Sequence, residues 1–170
     1  GRGLPFRLAI LGENFQAVPA EFLSARERLG SRVEQWGYVE SRAEYLDWLR
    51  RGAIVVSTAA QENFGLSIVE AVRCGCRPLL PRRLSYPELL DERFHAACLY
   101  DDDGDLAERL AALLARPRTI ADLREPLAAS MERYAWERVV GRFDEEIDRL
   151  AERPAAPPPP RPRPTPRRSK

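Results

Sequence analysis

Lysine is almost missing from this chain. Lys170 is the only one, so 26 of the 27 basic residues (27 less one) are arginines. The arginines are nevertheless balanced by acids. A formal net charge of +1 argues against a globally basic nucleic-acid binder. No run is long and apolar enough to cross a bilayer, and no charged-apolar-small signal pattern opens the sequence. The expectation is a cytoplasmic enzyme with no membrane partner. Cysteine is scarce and odd in number: Cys74, Cys76 and Cys98 leave at least one thiol free in a monomer, and no disulfide framework suggests itself. Cys-x-Cys with one distant Cys lacks the paired Cys-x2-Cys spacing of zinc sites, and the lone histidine, His95, is far along the chain. The three cysteines therefore read as small packing residues, and no metal is expected. No Gly-Lys-Ser/Thr phosphate loop occurs, so the chain is not a P-loop NTPase.

At 170 residues the length suits one domain. Composition divides it into a folded part, residues 1–152, and a Pro/Arg-rich tail, residues 153–170, too poor in apolar residues to build a core and expected to be disordered. Within the folded part, short β-branched or apolar runs alternate with helical patterns. Strands are predicted at Arg7–Leu11, Val33–Trp36, Ala53–Val56, Arg77–Leu80 and Ala97–Tyr100. The run at 53–56 is continuous, as for a strand buried on both faces. Helices are predicted from Pro19 to Leu29, from the capping box Ser41-x-x-Glu44 to Arg51, from Tyr86-Pro87-Glu88 with Pro in the first turn, and after Asp101–Asp103, whose acids favour a helix start. A helix carrying Ile120, Leu123 and Leu127 is predicted to bend near Pro126. A long amphipathic helix carries Trp136, Val139, Val140, Phe143, Ile147 and Leu150. Alternating strands and helices imply an α/β domain with a parallel sheet, which would set Gly12 and Glu13 at the sheet's carboxyl edge.

The most informative stretch is Val55–Glu88. A β run ends in Ser57-Thr58-Ala59. Glu62 follows, then Phe64-Gly65, then a helix that stops at Gly75. Such a unit aims unpaired amides at an anion. The amides of Leu66 and Ser67 would open the helix, and Gly65 would let a ligand approach the main chain closely. Carboxylates nearby suit sugar hydroxyls. Taken alone, two Glu at this spacing read equally well as solvated charges around a helix start.

The run Glu62-Asn63-Phe64-Gly65-Leu66-Ser67-Ile68-Val69-Glu70 resembles the Glu-x7-Glu signature of retaining, nucleotide-sugar-dependent glycosyltransferases of family 4. Trp36-Gly37-Tyr38-Val39, Ser57-Thr58-Ala59, Cys74-Gly75-Cys76 and Tyr86-Pro87-Glu88 add a more specific similarity, to the transferases that mannosylate queuosine in tRNA. The likeness spans roughly residues 7–136 and implies a Rossmann-like parallel sheet flanked by helices, the carboxy-terminal domain of the GT-B fold. It implies Glu62 as the catalytic-site carboxylate on the donor sugar and Glu70 on the ribose diol, where an ionised carboxylate accepts both hydroxyls. It also implies Phe64, Gly65, Leu66 and Ser67 around the diphosphate, and Tyr38, Val39 and Ser41 near the base. The donor would be GDP-mannose, the acceptor tRNA, and no cofactor or metal is needed. The amino-terminal GT-B domain, with the acceptor site and an Arg/Lys pair for the diphosphate, has no counterpart among these residues. Arg2 and Arg7 are too near the first strand to replace that pair. The chain thus reads as the donor-binding half. Two alternatives stay open: another family-4 transferase, or a noncatalytic nucleotide-binding module. Arg82 and Arg83 read either as solvated surface or as contacts to RNA.

Overall fold

The computed structural model describes residues 3–12 and 20–151. Arg2, Glu13, Pro19 and the tail of residues 153–170 lie outside the described residues. The chain divides into two compact units, Gly1–Tyr134 and Ala135–Lys170.

The first unit is α/β, and its described strands pair in parallel. β1 (Leu8–Leu11) pairs with β2 (Val33–Gly37). The second sheet has the order β3 (Ile54–Val56), β4 (Arg77–Pro81), β5 (Leu99–Tyr100). Connecting helices are α1 (Ala20–Leu29), α2 (Arg42–Arg51), α3 (Leu66–Arg73), α4 (Tyr86–Leu89), α5 (His95–Cys98), α6 (Asp103–Ala115), α7 (Arg118–Ala121) and α8 (Arg124–Ser130). Helix starts follow local chemistry. Ser41 caps α2 by accepting from the Glu44 amide at 3.1 Å, as the capping box predicts. Asp102 caps α6 by accepting from the Asp105 amide at 2.9 Å.

The buried strand is β4 rather than β3. Pro78, Leu79, Leu80 and Pro81 are all buried, whereas Val56 is 40% exposed. The cause is position: β4 has a neighbour on each side, while β3 ends the three-stranded order. Leu79 and Leu80 point to opposite faces, as strand alternation requires. Leu80 joins Ile68, Val69 and Val72 of α3, Tyr86, Leu89 and Leu127. Leu79 joins Leu113 and Ile120, with Ile54, Leu106 and Leu110 packed against them. Helices therefore cover both faces, and α3 is one of the inner ones.

Two predicted elements differ. The last strand is only Leu99–Tyr100, because His95–Cys98 turns as a helix and buries Phe94 and Cys98 beside it. The break predicted at Pro126 falls earlier, between α7 and α8. Pro126 is the third residue of α8, where a missing N–H leaves no intrahelical bond unmade.

The second unit contains α9 (Trp136–Ala151), as the sequence pattern predicts. Trp136 and Phe143 stack at 6.3 Å between ring centroids. Trp136, Phe143, Ile147 and Leu150 are 64%, 58%, 59% and 53% exposed.

Candidate functional site

At the carboxyl end of β3, Ser57 ties the three-stranded sheet together. Its amide donates to the Leu79 carbonyl (3.1 Å), its carbonyl accepts from the Tyr100 hydroxyl (2.8 Å), and its hydroxyl lies 2.7 Å from that of Tyr86. Tyr86 and Tyr100 are 1% and 2% exposed. Burial pushes both phenols above their ordinary range, because it penalises the charged form. They form a floor of neutral hydroxyls under the loop that follows.

That loop is folded around Glu62. One carboxylate oxygen accepts from the amides of Phe64 (3.2 Å) and Gly65 (2.9 Å). Gly65 stands at φ +92°, and its carbonyl accepts from Ile68 and Val69 at 2.9 and 3.1 Å to begin α3. A side chain there would be strained by that φ. Its Cβ would also meet Leu89 at 3.3 Å and Tyr86 at 3.5 Å. The close approach that this glycine permits is made by the protein's own core. Phe64 lies edge-on to Tyr134, centroids 5.3 Å apart.

The Gly65 amide, expected to face an anion, is thus already engaged by Glu62. The amides of Leu66 and Ser67 donate to no such partner among the described residues, as the first amides of a helix have no intrahelical acceptor. Both residues are exposed, and α3 ends in a Schellman turn: Cys76 N–H to Ala71 carbonyl and Gly75 N–H to Val72 carbonyl, each 3.0 Å. Two free amides at the positive end of the helix dipole are the chemistry that an anion site requires.

Glu70, one turn inside α3, is partly buried and oriented from α2. Arg42 donates to one oxygen at 2.6 Å and the Tyr45 hydroxyl to the other at 3.0 Å. The carboxylate holds the Arg42 guanidinium above its ordinary pKa. Burial first, and then the bond to Glu70, raise Tyr45 to about 12. Each oxygen retains acceptor capacity, so Glu70 is aimed rather than used up. Tyr38 (59% exposed) and Val39 (9%) lie just before the Ser41 cap of this same α2. The structure thus sets Glu62, Phe64, Gly65, Leu66, Ser67 and Glu70 on one loop and helix, and places Tyr38 and Val39 just before the helix whose Arg42 and Tyr45 hold Glu70.

Sequence reasoning missed Arg42 and Tyr45 as partners of Glu70. The capping box sets the phase of α2 and puts both on one face, three residues apart, but nothing local says which acid that face meets. The tyrosine–serine floor was equally hidden. The cysteines pack. Cys76 and Cys98 are buried, with burial raising each thiol to about 11. Cys76 Sγ donates to the carbonyls of Leu49 and Gly52 at 3.2 and 3.3 Å. Of the paired arginines, Arg82 is held by Asp101 at 2.8 Å, while Arg83 donates to the Ala59 carbonyl at 3.2 Å. No described helix is long and apolar enough to cross a membrane.

The fold matches that of solved GT-B glycosyltransferases. Sucrose-phosphate synthase from Thermosynechococcus elongatus aligns with a TM-score of 0.71 at 21% identity, covering 85% of this chain and 38% of that one. The catalytic domain of cholesterol-α-glucosyltransferase from Helicobacter pylori aligns at 0.55 and 22% identity, covering 68% and 72%. The family model for glycosyl transferases group 1 matches residues 2–116, and the chain belongs to that family. Among curated relatives, the tRNA-queuosine α-mannosyltransferase of Drosophila melanogaster is 34% identical over 144 residues, 84% of this chain. The D-inositol 3-phosphate glycosyltransferase 2 of Catenulispora acidiphila is 33% identical over 123 residues, 71% of this chain. The chain spans 37% and 29% of the length of these two relatives.

Proposed function

We propose that this chain is the donor-binding part of a retaining transferase that moves mannose from GDP-mannose to queuosine in tRNA. The observation that carries the reading is the α3 entry: free amides at Leu66 and Ser67 stand between two carboxylates that other residues hold in place. A nucleoside diphosphate sugar fits that order. The ribose diol donates to Glu70, the diphosphate receives the two amides and the helix dipole, and the sugar hydroxyls reach the second oxygen of Glu62. The nucleotide base lies toward Tyr38 and Val39, and Phe64 flanks the diphosphate turn. As the glycosidic bond breaks, charge develops on the departing diphosphate, and preorganised amides stabilise it without reorganising. No metal or other cofactor is assigned a part. The acceptor and the opposing wall of the cleft belong to an amino-terminal GT-B domain, and a tRNA acceptor puts the reaction in the cytoplasm.

The name of the Drosophila relative supports the choice of mannose and queuosine. The Catenulispora relative supports the alternative of another nucleotide-sugar donor and a different acceptor. A noncatalytic nucleotide-binding module is the third reading. Calorimetry with GDP-mannose, GDP and UDP-glucose separates the donors, with the guanine nucleotides expected to bind more tightly. Incorporation of radiolabelled mannose into queuosine-containing tRNA by the longer protein tests the reaction. Nucleotide binding without incorporation sinks the mannosyltransferase reading, and preference for UDP-glucose sinks the donor.

A further inference from the structure

The sequence sets Arg82 and Arg83 side by side, and the structure separates them. Arg82 extends the pairing of β4 with β5 through its amide, 2.8 Å from the Tyr100 carbonyl, and its guanidinium is spent on Asp101. Arg83 turns the other way. Its side chain reaches the loop after β3 and donates to the Ala59 carbonyl. It is exposed and pairs with no carboxylate among the described residues. One donor of five is used, and the fork keeps the rest for a ligand.

Exposure alone would make Arg83 an ordinary solvated cation. Two further features set it apart. The first is the backbone that presents it. Its amide donates to the Pro81 carbonyl at 2.7 Å, and the next residue, Leu84, stands at φ +60°, alone in the left-handed region among the described non-glycine residues. Strain of this kind persists only where the surroundings impose it. Here the Ser85 hydroxyl fastens the turn to the Phe64 carbonyl at 3.3 Å, so the Arg83 turn and the Glu62 loop are one assembly. The second feature is placement. Glu70 is gripped from α2, whereas Arg83 comes from the end of β4, the strand paired with β3. Glu62 stands on the loop after β3. Its charge and that of Arg83 act in opposite directions on the same Tyr86 hydroxyl. Arg83 thus stands close to the Glu62 loop: it donates to Ala59, three residues before Glu62, and its turn is tied to Phe64, whose amide Glu62 accepts. On the reading of Glu62 as the carboxylate that meets the sugar, the cation is near the reacting end of the donor.

We propose that Arg83 binds a backbone phosphate of the acceptor RNA, positioning the acceptor beside Glu62 and the donor sugar. This rests on the reading of tRNA as acceptor. Arginine suits the task because its planar fork meets two phosphate oxygens at once.

The test uses the longer protein, with tRNA binding followed by fluorescence anisotropy across a range of KCl concentrations. Arg83→Ala should weaken tRNA binding several-fold and flatten the plot of log affinity against log salt by about 0.7–0.9, the share of one phosphate. Arg83→Lys should keep the slope and recover part of the affinity, and it also serves if the alanine variant folds poorly. Arg82→Ala should leave both unchanged. Calorimetry with GDP should give the same affinity for wild type and Arg83→Ala. A several-fold loss there instead would move Arg83 to the donor diphosphate and overturn the proposal. An unchanged slope for Arg83→Ala in a wild type that binds tRNA overturns the inference alone. A wild type that binds no tRNA overturns the acceptor reading beneath it as well.

Discussion

Removing the Glu70 carboxylate should cost the protein twice, and the two losses can be separated. In Glu70→Ala the Tyr45 hydroxyl loses its acceptor at 3.0 Å while its ring stays half-buried. A polar group left unpaired in that setting costs about 1–3 kcal/mol, toward the lower end because water still reaches it. Arg42 is exposed, so its lost partner is replaced by water and adds little. The second loss is in binding. If Glu70 accepts the ribose hydroxyls, nucleotide affinity falls by about 1–3 kcal/mol, roughly 5- to 150-fold in Kd.

Tyr45→Phe removes the hydroxyl without touching the carboxylate. Alone it should cost up to about 1 kcal/mol of stability, the net worth of one such bond, and leave GDP affinity nearly intact, because Arg42 still aims Glu70. In the double variant the phenylalanine has no hydroxyl to orphan, so the stability loss should be smaller than the sum of the two single losses by about 0.5 kcal/mol or more. The binding loss should remain that of Glu70→Ala. Urea unfolding gives the first quantity and calorimetry with GDP the second. A folded Glu70→Ala protein that binds GDP as wild type does would remove Glu70 from the site and leave it as a brace between α2 and α3.

Gly65→Ala should destabilise the fold by about 1–2 kcal/mol, the cost of an L-residue in the left-handed region, before any effect on a ligand, and a variant with unchanged urea midpoint would refute the strain. Alkaline titration at 295 nm should show Tyr45, Tyr86 and Tyr100 ionising late, Tyr45 near pH 12. Their folded pKa values lie above the unfolded value, so this contribution is full below about pH 10 and is lost as pH rises toward 12; stability that does not decline across that window refutes it. The chain alone should transfer no mannose, since the cleft would lack the wall that positions the acceptor, and turnover near the rate of the longer protein would overturn the two-domain reading. Its exposed α9 face should promote self-association, so Ile147→Glu should lower the sedimentation coefficient at high concentration, and an unchanged value would argue against association through that face.

The fold was legible wherever the signal was local. Ser41 and Glu44 announce α2, Asp102 announces α6, and the spacing of Trp136, Phe143 and Ile147 announces α9, because caps and periodicity act within a turn or two. Longer-range competition decided the errors. The β-branched run at 53–56 resembles a central strand, but its neighbours make it an end strand, and the proline-flanked Arg77–Pro81 takes the middle. Which strand has two partners is a property of the whole sheet, and no window of residues contains it.

The site follows the same division. Glu62, Gly65 and Glu70 could be picked out because a loop and the helix it opens are contiguous, and the resemblance attached to them. What holds those residues in their arrangement came from elsewhere in the chain. Tyr86 and Leu89, about two dozen residues on from Gly65, occupy the space beneath it and fix the turn. Arg42 and Tyr45, on the preceding helix, aim Glu70. Because Glu62 itself takes the Gly65 amide, the loop holds its shape before any ligand arrives, and the amides of Leu66 and Ser67 stay open. A loop shaped by its own carboxylate needs no ordering when a nucleotide binds, so more of the contact energy is left to appear as affinity. The same bond makes Glu62 a test of the whole arrangement. Glu62→Gln keeps an acceptor for the Phe64 and Gly65 amides, so the fold and GDP affinity should be held, while the charge proposed to face the sugar is lost. Transfer by the longer protein should then fall with little change in GDP binding. A variant that instead loses GDP binding would show that the carboxylate's charge maintains the loop, and its proposed role toward the sugar would lose its support.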